Sequence, residues 1–208
     1  MIKICGLTRR VDAETAARHG ATAIGFNFWP KSPRFVVPEM AAEIVKGLSE
    51  DITTVGVFVD EAPDVMRSVA DRVGLGAIQL HGGEPADYGE ALGRPVLKAF
   101  GVGSLEQMRA WPSETLILLD AVDSPARGGT GMRVDWTQAA RVARERRVVL
   151  AGGLTPDNVA EAIATVRPFG VDVASGVERS PGIKDEDKVR RFVTEARDAF
   201  ARLGRDRT

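Results

Sequence analysis

The reactive side chains of this sequence are few, and each sits at an informative place. Cys5 is the only cysteine among 208 residues and lies in MIKICGLT, where a short apolar run meets a glycine. A cysteine there is a small core hydrophobe or, if its thiol ionises, a base at the end of a strand. Asp120 closes the run LILLD, and His81, one of two histidines, closes AIQLH. An imidazole can donate to a ligand or simply serve the core. Lys3 and Asp172 interrupt apolar runs, where an unpaired charge is expensive, so they are expected to pair or to share a network. Arg34, in NFWPKSPRFV, is a candidate fork for a carboxylate or else a solvated surface arginine. Two glycine-containing turns, LAGGLTPDNV with Gly152 and Gly153 and VASGVERSPGIKD with Ser175 and Gly176, could offer backbone N–H groups to a phosphate. Each is otherwise a tight turn between a strand and a helix.

Positioning these groups together requires a regular scaffold, and the chain has one. Apolar runs alternate with amphipathic stretches at a spacing of roughly 20 to 30 residues, the rhythm of repeated βα units. Strands are predicted at Lys3–Cys5, Ala23–Phe28, Thr54–Val59, Ala77–His81, Val96–Phe100, Leu116–Asp120, Val148–Ala151 and Val171–Ala174. Helices are predicted at Val11–Arg18, Pro38–Leu48, Ala62–Val73, Pro85–Leu92, Leu105–Ala110, Trp136–Arg144, Pro156–Val166 and Glu186–Arg202, with the tail ARLGRDRT fraying. Eight such units without a linker argue for an α/β fold, a single (β/α)8 TIM barrel over 1–208. Alternation then directs Lys3, Cys5, His81, Asp120 and Asp172 to the barrel interior. Cys5, His81 and Asp120 fall at carboxyl strand ends, where such barrels hold their sites. Lys3 and Asp172, on the first and last strands, become neighbours only if the barrel closes. The glycine turns follow strands seven and eight, the usual phosphate position of these barrels. The loop DSPARGGTGMRVDW after Asp120 reads as a lid, an anion nest or a long connection.

Composition narrows the function classes. The chain is 44% apolar and 27% charged with a formal net charge of −1, so no electrostatic case exists for nucleic acid or an anionic membrane. A single cysteine excludes an internal disulfide framework and fits a reducing, cytoplasmic setting. No secretory h-region or 18-residue apolar run is present. One cysteine and two histidines argue against a thiolate or imidazole metal centre and no metal is expected, although this count leaves a carboxylate-held Mg²⁺ open.

Taken together, KICGLT, GFNFWPKSPR, VGVFVD, QLHGGE, LLD, GGTG, DW, LAGGLTPDNV and VDVASGVERSPGIKD resemble, in order, the phosphoribosylanthranilate isomerase family of tryptophan biosynthesis. The resemblance implies a cofactor-free Amadori rearrangement of N-(5-phosphoribosyl)anthranilate to 1-(2-carboxyphenylamino)-1-deoxyribulose 5-phosphate. It implies Cys5 as general base and Asp120 as general acid. Arg34 would hold the anthranilate carboxylate, Gly152, Gly153, Ser175 and Gly176 the phosphate, and His81 and Asp172 would line the substrate site. An acid that is protonated and a thiol that is ionised at one pH imply values drawn toward neutrality from opposite sides. The implied partner is a small phosphorylated substrate, with no nucleic acid, membrane or cofactor, and a monomer or homodimer. Two other readings remain at this point. A histidine-pathway aminoaldose isomerase would use aspartates on strands one and five, where this chain has Cys5 and Lys98. A phosphate-binding barrel without catalysis would need neither Cys5 nor Asp120.

Overall fold

A computed structural model of the chain describes residues 1–120 and 135–205. The apolar runs form strands β1 (Ile2–Cys5), β2 (Ala23–Asn27), β3 (Thr53–Phe58), β4 (Ala77–Leu80), β5 (Val96–Gly101), β6 (Leu116–Asp120), β7 (Val148–Leu150) and β8 (Gly170–Val173). They pair in parallel in chain order, and β1 also pairs with β8, so the barrel is closed. Around it lie α1 (Arg10–Arg18), α2 (Pro38–Val45), α3 (Pro63–Val73), α4 (Tyr88–Ala91), α5 (Leu105–Arg109), α6 (Trp136–Glu145), α7 (Val159–Val166) and α8 (Glu186–Arg205). The expected α/β barrel is thus observed, with every barrel strand starting and ending within one residue of its predicted span.

Strand alternation sorts the core into two shells. Ile2, Ile4, Ile24, Phe26, Ile78, Leu80, Ile117, Leu119, Val148, Leu150, Val171 and Val173 face the helices in one large cluster. Leu97, Ala99, Leu118, Val149 and Ala151 fill part of the barrel interior, and Ala23, Val55 and Ala77 another part. Helix α8 contributes Val189, Phe192, Val193, Ala196 and Ala199 to the outer shell, a helical spacing of apolar positions.

Helix ends depart from expectation for local reasons. Helix α2 stops at Val45 rather than Leu48, just before Gly47. Only Tyr88–Ala91 of the predicted Pro85–Leu92 is helical, because Gly89 and Gly93 weaken the segment. Helix α7 begins at Val159, not Pro156; Thr155–Asn158 instead form a turn in which Asn158 Oδ1 accepts the Thr155 N–H at 2.8 Å. The tail does not fray at Arg202, since Phe200 and Leu203 pack on the core and carry α8 to Arg205. A hairpin of β9 (Glu178–Ser180) and β10 (Ile183–Lys184), preceded by a 3-10 turn at Ser175–Val177, was not predicted. The glycine-rich segment after Asp120, including GGTG, lies outside the described residues. No helix among the described residues is long and apolar enough to cross a membrane.

Candidate active site

The carboxyl end of the barrel gathers the predicted residues. Lys3 is in register with Asp172 across the β1–β8 seam, and its ammonium donates to Asp172 Oδ1 at 3.0 Å. The expected pair therefore exists, and only closure creates it. Lys3 Nζ also donates to Gln79 Oε1 at 2.9 Å, and the other end of that amide lies 2.9 Å from His81 Nδ1. His81 Nε2 in turn faces Asp120 Oδ2 at 3.6 Å. A polar line thus runs along the inside of the barrel from Asp172 to Asp120. Burial, reinforced by Lys3, pushes the His81 imidazole down to about 4, so it is neutral at physiological pH.

Cys5 is buried at the end of β1, level with Gly25 of β2. A Cβ at Gly25 would lie 2.7 Å from Cys5 Sγ and 3.2 Å from Lys3 Cε, so a bare backbone is what gives the thiol its space. Burial pushes the thiol up, Lys3 draws it down, Asp172 adds to the rise and Lys184 opposes it. The thiol drawn toward neutrality that the resemblance implied is therefore not found: desolvation outweighs both ammonium groups. Lys3 itself is raised, because Asp172 and Cys5 outweigh its own burial.

Both glycine turns border one recess. Gly152, Gly153, Ser175 and Gly176 line it together with Asp120 and Asp172. Gly152 and Gly153 have φ of 77° and 68°, a left-handed pair that side chains would strain. Asn158 Nδ2 donates to the Gly153 carbonyl at 2.9 Å and so ties this turn to the start of α7. A Cβ at Gly176 would overlap the Leu154 carbonyl oxygen, which brings the two turns into contact.

Arg34 is neither solvated nor open-handed. Its Nε and Nη2 donate to Glu178 Oε1 and Oε2 at 2.8 and 2.7 Å, and only 12% of its side chain is exposed. Glu178 also accepts from Lys184 Nζ at 2.9 Å, and Lys184 donates to the Cys5 carbonyl at 2.6 Å. Burial alone would raise Glu178, but Arg34 and Lys184 hold it below its usual range. Burial lowers Lys184 despite Glu178. Two cations around one carboxylate leave net positive charge beside the thiol. With Nε and Nη2 engaged side-on, the Nη1 end of the guanidinium makes no hydrogen bond to the described residues.

Sequence reasoning did not single out Gln79, Glu178, Lys184, Gly25 or Asn158. For Glu178 and Lys184 a signal existed: the SPG turn inside VERSPGIK marks a hairpin that sets both side chains together. Lys98, on strand five where a paired-aspartate mechanism would need an aspartate, turns away from the interior. It pairs with Glu84 Oε2 at 2.7 Å and lies over the Phe100 and Trp111 rings. Among the described residues, no three His, Cys, Asp or Glu side chains are grouped to hold a metal ion.

Comparison with known proteins agrees with this geometry. Residues 2–195 match the family model described as N-(5'phosphoribosyl)anthranilate (PRA) isomerase. A relative from Geobacter sp. (strain M21), named N-(5'-phosphoribosyl)anthranilate isomerase, is 50% identical over 198 residues, covering 94% of this chain and 97% of its own. The crystal structure of phosphoribosyl anthranilate isomerase from Thermotoga maritima superposes with a TM-score of 0.86 at 41% identity, covering 95% of this chain and 98% of its own. Another structure of such an isomerase, in complex with reduced 1-(o-carboxyphenylamino)-1-deoxyribulose 5-phosphate, gives 0.84 at 42% identity, with the same coverage. A closed barrel, a strand-end thiol beside two ammonium groups and a full-length match at this identity lead to one conclusion: the chain belongs to the N-(5'-phosphoribosyl)anthranilate isomerase family.

Proposed function

We propose that the carboxyl end of this barrel carries out the isomerisation of N-(5'-phosphoribosyl)anthranilate in tryptophan biosynthesis, with Asp120 as general acid and Cys5 as general base. Asp120 gives its proton to the ribose ring oxygen as the C1–O bond breaks, and the anilino nitrogen lone pair forms the C1=N bond. The Cys5 thiolate then removes the C2 proton, and those electrons neutralise the iminium to give an enolamine. Tautomerisation of the enolamine yields the ketone. No hydride or electron leaves the substrate.

The observation that carries this reading is the recess shared by Asp120, Asp172 and both glycine turns, next to the strand that bears Cys5. A phosphate at Gly152, Gly153, Ser175 and Gly176 would meet backbone N–H groups, which supply donors without a lysine. The substrate carboxylate would meet the Nη1 and Nη2 end of Arg34, with Glu178 holding the other edge. His81 and Asp172 would line the sugar side of the site.

The test is turnover. Fluorescent substrate made in place from anthranilate and phosphoribosyl pyrophosphate by the transferase should lose its fluorescence when the chain is added. Cys5→Ser and Asp120→Asn should each lower kcat by at least about a hundredfold, the scale for one acid or base. Because burial holds the thiol up, wild-type kcat/KM should also rise with pH above neutrality. Binding of a product analogue without any turnover would leave only a phosphate-binding barrel.

A further inference from the structure

The polar line between Lys3 and Asp120 has a direction, and the donors and acceptors alone decide it. An ammonium has three donors and no acceptor, so the Gln79 group 2.9 Å from Lys3 Nζ must be the amide oxygen. The amide NH2 therefore faces His81 Nδ1, also at 2.9 Å. An NH2 group can only donate there, so Nδ1 must be bare. A neutral imidazole with a bare Nδ1 carries its proton on Nε2. That nitrogen is buried, makes no hydrogen bond among the described residues and faces Asp120 Oδ2 at 3.6 Å. This distance is too long for a hydrogen bond, and catalytic contacts of this kind commonly tighten in the complex with substrate.

We propose that Gln79 is a positioning residue for the reaction: it locks His81 as the neutral Nε2–H tautomer, so that the imidazole donates to the Asp120 carboxylate left by the ring-opening proton transfer. The proposal rests on Asp120 being the general acid. His81 keeps its own proton throughout. Its donation stabilises the carboxylate product of the first step while adding no positive charge that would ionise the acid before it acts. An imidazolium in the same place would pair with Asp120 and hold it ionised. Charges act on the imidazole from across the barrel and from beside it: Lys3 on β1, Asp172 on β8, Lys98 on β5, Glu84 in the loop after β4 and, facing Nε2, Asp120 on β6. The NH2 of the Gln79 amide, which can only donate to Nδ1, decides the tautomer.

The experiment is favoured by composition, because the chain contains only His19 and His81. In 15N-labelled His19→Gln protein every imidazole signal belongs to His81. At pH 7 its long-range nitrogen–proton correlations should show a protonated Nε2 and a bare Nδ1. Gln79→Glu sets a carboxylate against Nδ1 and should convert His81 to imidazolium at pH 7. In that variant kcat should fall about tenfold to a hundredfold, the scale of a hydrogen bond to a charged group, with KM nearly unchanged. If Gln79→Glu does not fold, His81→Gln and His81→Leu replace it. The glutamine can still donate to Asp120 and should keep most of kcat, while the leucine should lose it by the same tenfold to hundredfold. A wild-type His81 that is protonated at Nδ1, or doubly protonated at pH 7, overturns the proposal. So does equal kcat in the glutamine and leucine variants. The spectrum needs no turnover, so an Asp120→Asn variant with full activity would defeat the assignment of the acid separately.

Discussion

The two ends of this barrel are made by the same strands and differ in what their inner faces carry. At the amino end, a hollow of about 950 Å³ opens among the strand starts Thr53, Ala77, Val96 and Leu116, with Met1 beside them. Most of its charged residues, Glu50, Glu90, Glu114 and Arg147 among them, are exposed. At the carboxyl end the recess between the glycine turns holds only about 50 Å³, yet Asp120 and Asp172 are buried around it, the latter paired with the buried Lys3. Volume therefore does not locate the chemistry in this molecule. Charge held away from water does, because a buried charge persists only where partners or function hold it, whereas exposed charges are screened.

The comparison can be broken by measuring how each end responds to losing a charge. The largest effect should come from the seam. Lys3 is fully buried and Asp172 nearly so, so Lys3→Met or Asp172→Leu alone strands a buried partner and should cost about 3 to 5 kcal/mol in urea unfolding. The double variant should recover much of that loss. Strictly additive losses in the cycle would show that the two do not act as a pair.

A smaller effect should appear in acid. His81 stays neutral to about pH 4 in the folded chain, while the unfolded chain takes up its proton near the ordinary value of about 6.5. Between those values the unfolded state binds more protons, so stability is lost as pH falls through this window, by roughly 3 kcal/mol in all. His81→Gln should remove this loss. Urea midpoints of the two proteins at pH 7 and pH 4.5 check it, and parallel acid sensitivity would contradict the buried neutral imidazole.

The smallest effect belongs to the amino end. Arg147 lies 4.1 Å from the Phe169 ring centroid, an exposed cation–π contact worth about 0.5 to 1 kcal/mol. Arg147→Ala should lose no more than that and leave kcat/KM unchanged. A fall in kcat/KM would show that the large hollow communicates with the reaction after all.

Much of this was legible beforehand. The period-2 alternation of MIKIC, LILLD and VDV directs Lys3, Cys5, Asp120 and Asp172 inward, and the barrel strands followed. Helix ends were less legible, because Gly47, Gly89 and the Asn158 turn compete locally with the apolar period. Arg34 could be read as a fork but not as one already half engaged. Its partner Glu178 lies 144 residues away, on a hairpin too short for periodicity to reveal.

Alternation and motif are local properties of the chain, and they were enough to place the strands, select the inward set of residues and indicate the family. What only the tertiary structure decided was which inward groups touch. Closure of β1 on β8 joins Lys3 to Asp172. The hairpin brings Lys184 to the Cys5 carbonyl and Glu178 to Arg34, and contact across the barrel interior between β1 and β4 sets Gln79 between an ammonium and an imidazole. The same contacts set the state of the thiol, because burial raises it and the ammonium groups only partly offset that rise. Residue type supplies a group's ordinary acidity; desolvation and the charges packed around it supply the acidity it has in the protein.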